Sequence, residues 1–257
     1  MGQVKGALHW RRLGAAGRVL LDQLYPPGCA ACGAPLVGAA GLCGACFARL
    51  KPITAPFCPV LGLPFAADMG PGTLSAEALA DPPPFRRARA AVAYGEIARI
   101  LVSRLKYGDR PELAQFCARL MAPAGEAFWG ERPVLVPVPL HAGRRRARRY
   151  NQAMLLAQAL GRARGLPVAG GLVDRTRPTR QQVGLSGTSR ARNVQGAFSL
   201  SPRALERLGG RPVVLVDDVY TTGATVKAVS RALLRGGVAA VDVLTFARVV
   251  IGDDLPL

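Results

Sequence analysis

The stretch Val213-Val214-Leu215-Val216-Asp217-Asp218-Val219-Tyr220-Thr221-Thr222-Gly223-Ala224-Thr225 decides how this chain folds. Four consecutive apolar residues, three of them β-branched, predict a strand buried on both faces of a parallel sheet. Two carboxylates follow at its carboxyl end, where open α/β sheets bind their ligands. Thr221–Thr225 then opens a helical run with Val226, Val229, Leu233 and Leu234 on one side. A loop of small hydroxyl residues at a helix start is a phosphate cradle. Unpaired N–H groups and the helix dipole face the anion, Thr hydroxyls add donors, and Gly lets the backbone approach. Carboxylates repel phosphate, so Asp217 and Asp218 suit ribose hydroxyls or a magnesium ion. Acids beside a phosphate cradle describe a site for a sugar phosphate. A strand ending in Asp-Asp also suits a nucleotide hydrolase, but the Gly-x-x-x-x-Gly-Lys-Ser/Thr loop this requires occurs at none of the four lysines, Lys5, Lys51, Lys106 and Lys227.

The stretch resembles the 5-phosphoribosyl-1-pyrophosphate (PRPP) loop of the type I phosphoribosyltransferases. The resemblance implies that Asp217 and Asp218 hold the ribose 2- and 3-hydroxyls. It implies that Thr221, Thr222, Gly223, Ala224 and Thr225 hold the 5-phosphate, with Mg2+ accompanying PRPP.

Outward from this stretch the chain alternates between strand and helix. Ala88–Tyr94 reads as a strand, Glu96–Tyr107 as a helix, and a second helix begins at Pro111 with Leu113, Phe116, Cys117 and Leu120 inward. Pro133–Pro139 is a buried strand, Ala153–Arg164 a helix capped by Asn151, and Val238–Arg248 a further strand. This order predicts an α/β domain with a parallel sheet over 88–250, and the resemblance implies that the sheet is type I phosphoribosyltransferase-like. Between strand and helix lies an arginine run that includes Arg144, Arg148 and Arg149. It is a candidate pyrophosphate loop; the alternative is a solvated charge run. Residues 174–198 are basic, polar and irregular, the profile of a lid over a site. Within them Arg190 and Asn193, with Asn151 ahead of them, are further pyrophosphate candidates. His141 reads as structural.

Toward the N-terminus, Cys29-x-x-Cys32 and Cys43-x-x-Cys46 form two knuckles. Each two-residue spacer turns the chain so that both thiolates reach one ion. Four thiolates suit tetrahedral structural Zn2+, with a redox pair or an iron–sulfur cluster as alternatives. Phe57-Cys58-Pro59-Val60-Leu61-Gly62 repeats the knuckle pattern with Leu61 in place of its second cysteine, so Cys58 reads as a buried thiol. The expected organisation is a basic amphipathic lead helix over 1–25, a zinc-ribbon module over 26–66, a Pro/Gly-rich linker over 67–87, and the 88–250 domain.

Net charge is +18, and only four of the 34 basic residues are lysine. Such a surface favours polyanions. The 15 aromatic side chains (two Trp, five Tyr, eight Phe) do not interleave with the arginines as a base-stacking platform would. No apolar run of about 18 residues lacks charges or prolines, so no membrane span is expected. No secretory signal is evident, and the cysteine pattern suits a cytoplasmic protein. The lead helix fits either an acidic membrane surface or the protein's own flank.

Together, the two knuckles, Leu105-Lys106-Tyr107, Val136-Pro137-Val138-Pro139-Leu140-His141, Arg148 with Asn151-Gln152, and Thr179 through Phe198 resemble the ComF family. These are competence-type phosphoribosyltransferase-like proteins with an N-terminal zinc module. Two departures stand out, Arg149 where the family usually has Gly and Leu61 in the third knuckle. The resemblance implies a role in natural transformation at the cytoplasmic face of the inner membrane, with single-stranded DNA and a DNA-uptake helicase as partners. A phosphoribosyltransferase acting on a base in nucleotide salvage, and a non-catalytic PRPP-sensing regulator, remain as alternatives.

Overall fold

The computed structural model describes residues 28–36, 41–108, 110–140, 150–175, 198–201, 205–206, 208 and 210–250. The lead helix over 1–25, the arginines at 144, 148 and 149, and the lid residues Arg190 and Asn193 lie outside these. The chain divides into two compact units, Met1–Arg49 and Leu50–Leu257.

In the first unit, Gly28 bridges Pro35 in antiparallel fashion, and Cys29 N–H donates to the Ala34 carbonyl at 2.7 Å. Gly33, at φ +80°, supplies the left-handed residue that closes this turn. Cys43 caps helix α1 (Gly44–Ala48), whose buried residue is Cys46.

The second unit is built on four parallel strands, β1 (Ala88–Ala93), β2 (Val134–Pro137), β5 (Val213–Tyr220) and β6 (Val241–Arg248), in the order β1-β6-β5-β2. Parallel strands need long crossovers. Helices α3 (Glu96–Tyr107), α4 (Leu113–Ala124) and α5 (Glu126–Trp129) span β1 to β2. Helix α6 (Gln152–Arg164) follows β2, and α7 (Ala224–Arg235) joins β5 to β6. Strands β3 (Val173–Arg175) and β4 (Phe198–Leu200) form a separate antiparallel pair.

The apolar strand runs are explained by coverage on both faces. Val213, Leu215, Val241 and Val243 pack with Val226, Val229 and Leu233 of α7. Alternate positions turn to the opposite face, which α4 and α6 cover. There a methyl on Gly125 would meet Leu244, and Leu135 lies beneath Gly161. Cys117 is fully buried in α4, and burial pushes its thiol up to about 12, so it serves as core.

Residues 50–87 also pack in this unit. Ile53 N–H donates to Ala91 O at 3.1 Å, and Ala93 N–H to Lys51 O at 2.8 Å, so 51–53 line the edge of β1. Within 67–87, expected as an extended linker, Ser75 caps helix α2 (Ala76–Ala80) and Ala78 and Phe85 join the core, as do Cys58 and Leu61 just before it. The boundary between units thus falls at Arg49, inside the stretch that sequence spacing groups as one zinc module. Apolar burial ties 57–85 to the sheet, at roughly 2 kcal/mol for each fully buried large side chain.

Asp242, the second residue of β6, is 1% exposed. Arg86 Nη2 donates to its Oδ2 at 2.7 Å, and Arg87 Nη2 donates to the same oxygen at 3.1 Å. A buried carboxylate stripped of its cations is strongly destabilising. Arg86→Ala and Arg87→Ala, made singly, each leave one cation and are expected to cost about 1 kcal/mol. The double variant is expected to cost about 3 kcal/mol or more, measured by urea unfolding.

Candidate functional site

The site is created by a difference in strand length. β2 pairs with β5 only from Val134↔Val213 to Pro137↔Val216, and Val138 N–H makes the last link to Val216 O at 2.9 Å. On its other side β5 stays paired to β6 through Asp217↔Thr245, Val219↔Ala247 and Tyr220↔Arg248. The last residues of β5 therefore have one open edge. Beyond the end of β2 this leaves a cavity of about 170 Å3, lined by Lys106, Asn151, Arg175, Asp217, Asp218, Thr221, Gly223, Ala224 and Thr225 among others. The two acids sit within the strand rather than after it. Of the residues expected to bind PRPP through the central stretch, all but Thr222 line the cavity, and Thr222 is exposed.

Consecutive strand residues point to opposite faces. Asp218 is buried and forms an ion pair with Lys106 at the end of α3, Nζ to Oδ2 2.9 Å. Asp217 accepts from the Asp218 backbone N–H at 2.8 Å. Burial, and then the neighbouring Asp218 charge, raise the Asp217 carboxyl to about 7. The Asp218 N–H, Lys106 and Arg175 oppose this without cancelling it. The site thus holds one acid matched by a cation and a second whose ionisation is opposed by burial and by its neighbour.

The Thr221–Thr225 loop is shaped by Gly223. Its φ of +74° is left-handed, and a Cβ there would lie 2.2 Å from the Tyr220 hydroxyl. Gly223 is the N-cap of α7, and its carbonyl accepts from Lys227 N–H at 2.8 Å. The N–H groups of the first helical turn lack intrahelical partners and border the cavity through Ala224, Thr225 and Val226. Asn151 caps α6: its side chain accepts from Ala153 N–H at 3.0 Å and donates to Val138 O at 3.2 Å. It therefore fixes the exit of β2 as well as lining the cavity.

Sequence reasoning missed Lys106 and Arg175 as site residues. A signal existed for Lys106, since lysine is rare in this arginine-rich chain and this one ends a helix leading back to the sheet. Arg175 stood among similar arginines, and only its place at the end of β3 singles it out.

The four knuckle cysteines converge in the first unit, with all four Sγ atoms within 4.8 Å of one another and Cys32 and Cys43 3.7 Å apart. Four sulfurs around one zinc at about 2.3 Å lie about 3.8 Å apart, so the set fits a tetrahedral ion. Burial opposes ionisation of Cys29, but the N–H groups of Cys32, Cys43 and Ala31 outweigh it and bring the thiol down to about 6. Burial and the other three cysteines push Cys46 up to about 12. Holding all four as thiolates would therefore require a cation. No ligand position remains for substrate, so the site is structural.

Two family models match the chain, a double zinc ribbon domain over residues 20–78 and a phosphoribosyl transferase domain over residues 103–253. The "DNA utilization protein YhgH" of Escherichia coli K12 is 35% identical over 234 residues, which cover 88% of this chain and 99% of that protein. "Competence protein F" of Haemophilus influenzae is 37% identical over 160 residues, 60% of this chain and 69% of that one. "Competence protein ComFC" of Bacillus subtilis is 28% identical over 202 residues, 77% and 80% respectively.

Two outcomes test this geometry. Gly223→Ala combines a left-handed φ with a collision, whereas Gly237→Ala carries only a left-handed φ of +91° in open space. Gly237→Ala is expected to cost about 1 kcal/mol and Gly223→Ala clearly more, read from thermal unfolding. For Asp217, a raised carboxyl means that the folded state binds the proton more tightly than the unfolded state. Its contribution to stability therefore falls as pH climbs from the ordinary carboxylate range through about 7. Asp217→Asn is expected to be more stable than the parent at pH 8 and equal to it near pH 4, by urea unfolding at both.

Proposed function

The chain belongs to the ComF family, and from that premise we propose that it binds PRPP with Mg2+ in the crevice beside β5 and supports the handling of single-stranded DNA in natural transformation. The observation that carries the ligand reading is the meeting of Asp217 and Asp218 with the Gly223-capped start of α7 around one cavity. Asp217 and Asp218 take the ribose hydroxyls and the magnesium ion, and the Thr221–Thr225 loop takes the 5-phosphate. Arg144, Arg148, Arg149, Arg190 and Asn193 are assigned to pyrophosphate from sequence, and Lys106 and Arg175 add positive charge at the cavity wall. Asn151 acts as a positioning residue, because both ends of its side chain are occupied by backbone partners.

The DNA reading rests on the names of the relatives and on the net charge of +18. Contact with phosphates through arginines is steeply salt-dependent, since each neutralised phosphate releases counterions. Among the described residues no helix is long and apolar enough to cross a membrane, so a place at the inner face of the membrane rests on peripheral contact or on a uptake helicase partner. If the crevice also turns PRPP over, the bond from ribose C1 to pyrophosphate breaks and a nucleophile adds at C1. Magnesium would offset charge on the departing pyrophosphate, and the residues above would hold and orient the sugar.

Calorimetric titration of PRPP with Mg2+ tests this reading. The parent is expected to bind, and Asp217→Asn/Asp218→Asn is expected to lose at least about 30-fold in affinity, the scale of one or two charge-assisted hydrogen bonds. Equal heats in both proteins, or none in the parent, would remove the ligand assignment.

A further inference from the structure

The double zinc ribbon match spans residues 20–78, but only its first half has four cysteines. Its second half repeats the backbone of the first. Gly28 bridges Pro35, and Phe57 bridges Pro64, both antiparallel and both seven residues apart. Cys29 N–H donates to Ala34 O at 2.7 Å, and Cys58 N–H to Leu63 O at 2.8 Å. Gly33 N–H returns to Cys29 O at 2.9 Å, and Gly62 N–H to Cys58 O at 2.7 Å, with left-handed φ of +80° and +64°.

The second knuckles correspond as well. Cys43 is the N-cap of the five-residue α1, and its N–H points at Cys29 Sγ at 3.3 Å. Ser75 is the N-cap of the five-residue α2, and its N–H points at Cys58 Sγ at 3.4 Å. Cys46 is the buried residue of α1, and Ala78 is the buried residue of α2. The four zinc ligands Cys29, Cys32, Cys43 and Cys46 thus map onto Cys58, Leu61, Ser75 and Ala78. One thiol and one hydroxyl, beside two apolar groups, cannot form a tetrahedral site.

What fills the place of the ion is packing. Cys58 is 0% exposed, Leu61 3% and Ala78 4%, and all three belong to the apolar core that includes Phe85 and Ala88. The ribbon is also tied to the sheet. Ala88 N–H donates to Val60 O at 2.7 Å, Arg89 Nη1 to Pro59 O at 3.0 Å, and Arg248 Nη1 to Leu61 O at 2.7 Å. Lys227 Nζ pairs with Asp81 Oδ2 at 2.7 Å. A ribbon held on this many sides does not need a metal to stay folded, whereas small free-standing ribbons depend on one.

We propose that residues 57–80 are a second ribbon that has exchanged its metal for an apolar core, so that the chain holds one structural zinc ion and not two. Elemental analysis of the purified full chain tests this. The parent and Cys58→Ser are each expected to carry one zinc per chain, and Cys32→Ser/Cys46→Ser is expected to carry none. Leu61→Cys/Ser75→Cys/Ala78→Cys rebuilds the ligand set and is expected to carry two, with the sulfur-to-metal absorption doubled after cobalt substitution. Two zinc ions in the parent, loss of zinc in Cys58→Ser, or zinc retained in Cys32→Ser/Cys46→Ser would each overturn the proposal. So would a folded triple variant that binds only one. Should the triple variant fail to fold, the other three proteins decide the matter.

Discussion

The site depends on Tyr220 and Arg248, paired across the ends of β5 and β6. The Arg248 guanidinium lies 4.2 Å from the centroid of the Tyr220 ring, and Phe85 meets the same ring edge-on at 6.5 Å. Both partners are buried, Arg248 to 5% and Tyr220 to 4% exposure. Burial lowers the arginine below its ordinary range and raises the tyrosine above its own. A desolvated cation is tolerated here because the ring face and the Leu61 carbonyl replace water. With the ring fixed, its hydroxyl excludes any side chain at position 223, and the chain must turn there through glycine. The start of α7 is thereby placed beside Asp217 and Asp218. The Thr221–Thr225 loop and the acids share a crevice because one aromatic ring sets the turn at Gly223.

The same arginine links the site to the metal-free ribbon. Its Nη1 bond to Leu61 fixes the turn of residues 57–64, and Lys227, on the first turn of α7, reaches Asp81 just after α2. Lys227 and hydrogen bonding hold the Asp81 carboxyl below the ordinary carboxylate range. The ribbon thus contacts the end of β6, which pairs with β5, and the start of α7, which borders the crevice. Such contacts suit a brace, and a brace is rigid whether its centre is an ion or packed side chains. This explains how three ligands could be lost without losing the backbone they once shaped.

Charge is distributed with similar economy. Acids are scarce in a chain of net charge +18, and several of those described have defined partners. Asp242 joins Arg86 and Arg87 at the start of β6, Asp81 joins Lys227, and Asp218 joins Lys106. Asp217 differs. Among the described residues it has no ion-pair partner within 4.0 Å, and burial beside Asp218 favours its protonated form. A nearby positive charge favours the ionised form of such a carboxyl.

Much of this was legible in the sequence. The apolar run Val213–Val216 with two acids and a Thr/Gly loop announced a parallel α/β sheet and a crevice beside the acids, because burial on both faces and φ > 0 beside a helix leave residue signatures. The Cys29 to Cys46 spacing announced one metal site for the same reason, since ligand geometry is local. Sequence alone also marked Leu61 as the break in the next knuckle. Other features needed the folded chain. Lys106 reaches Asp218 across more than a hundred residues, and nothing local to either predicts the pair. Ser75 and Ala78 are not cysteines, so only the repeated hydrogen bonds and caps reveal their correspondence with Cys43 and Cys46. The open edge of β5 likewise arises from where β2 stops, a property of two strands in register that neither strand carries by itself.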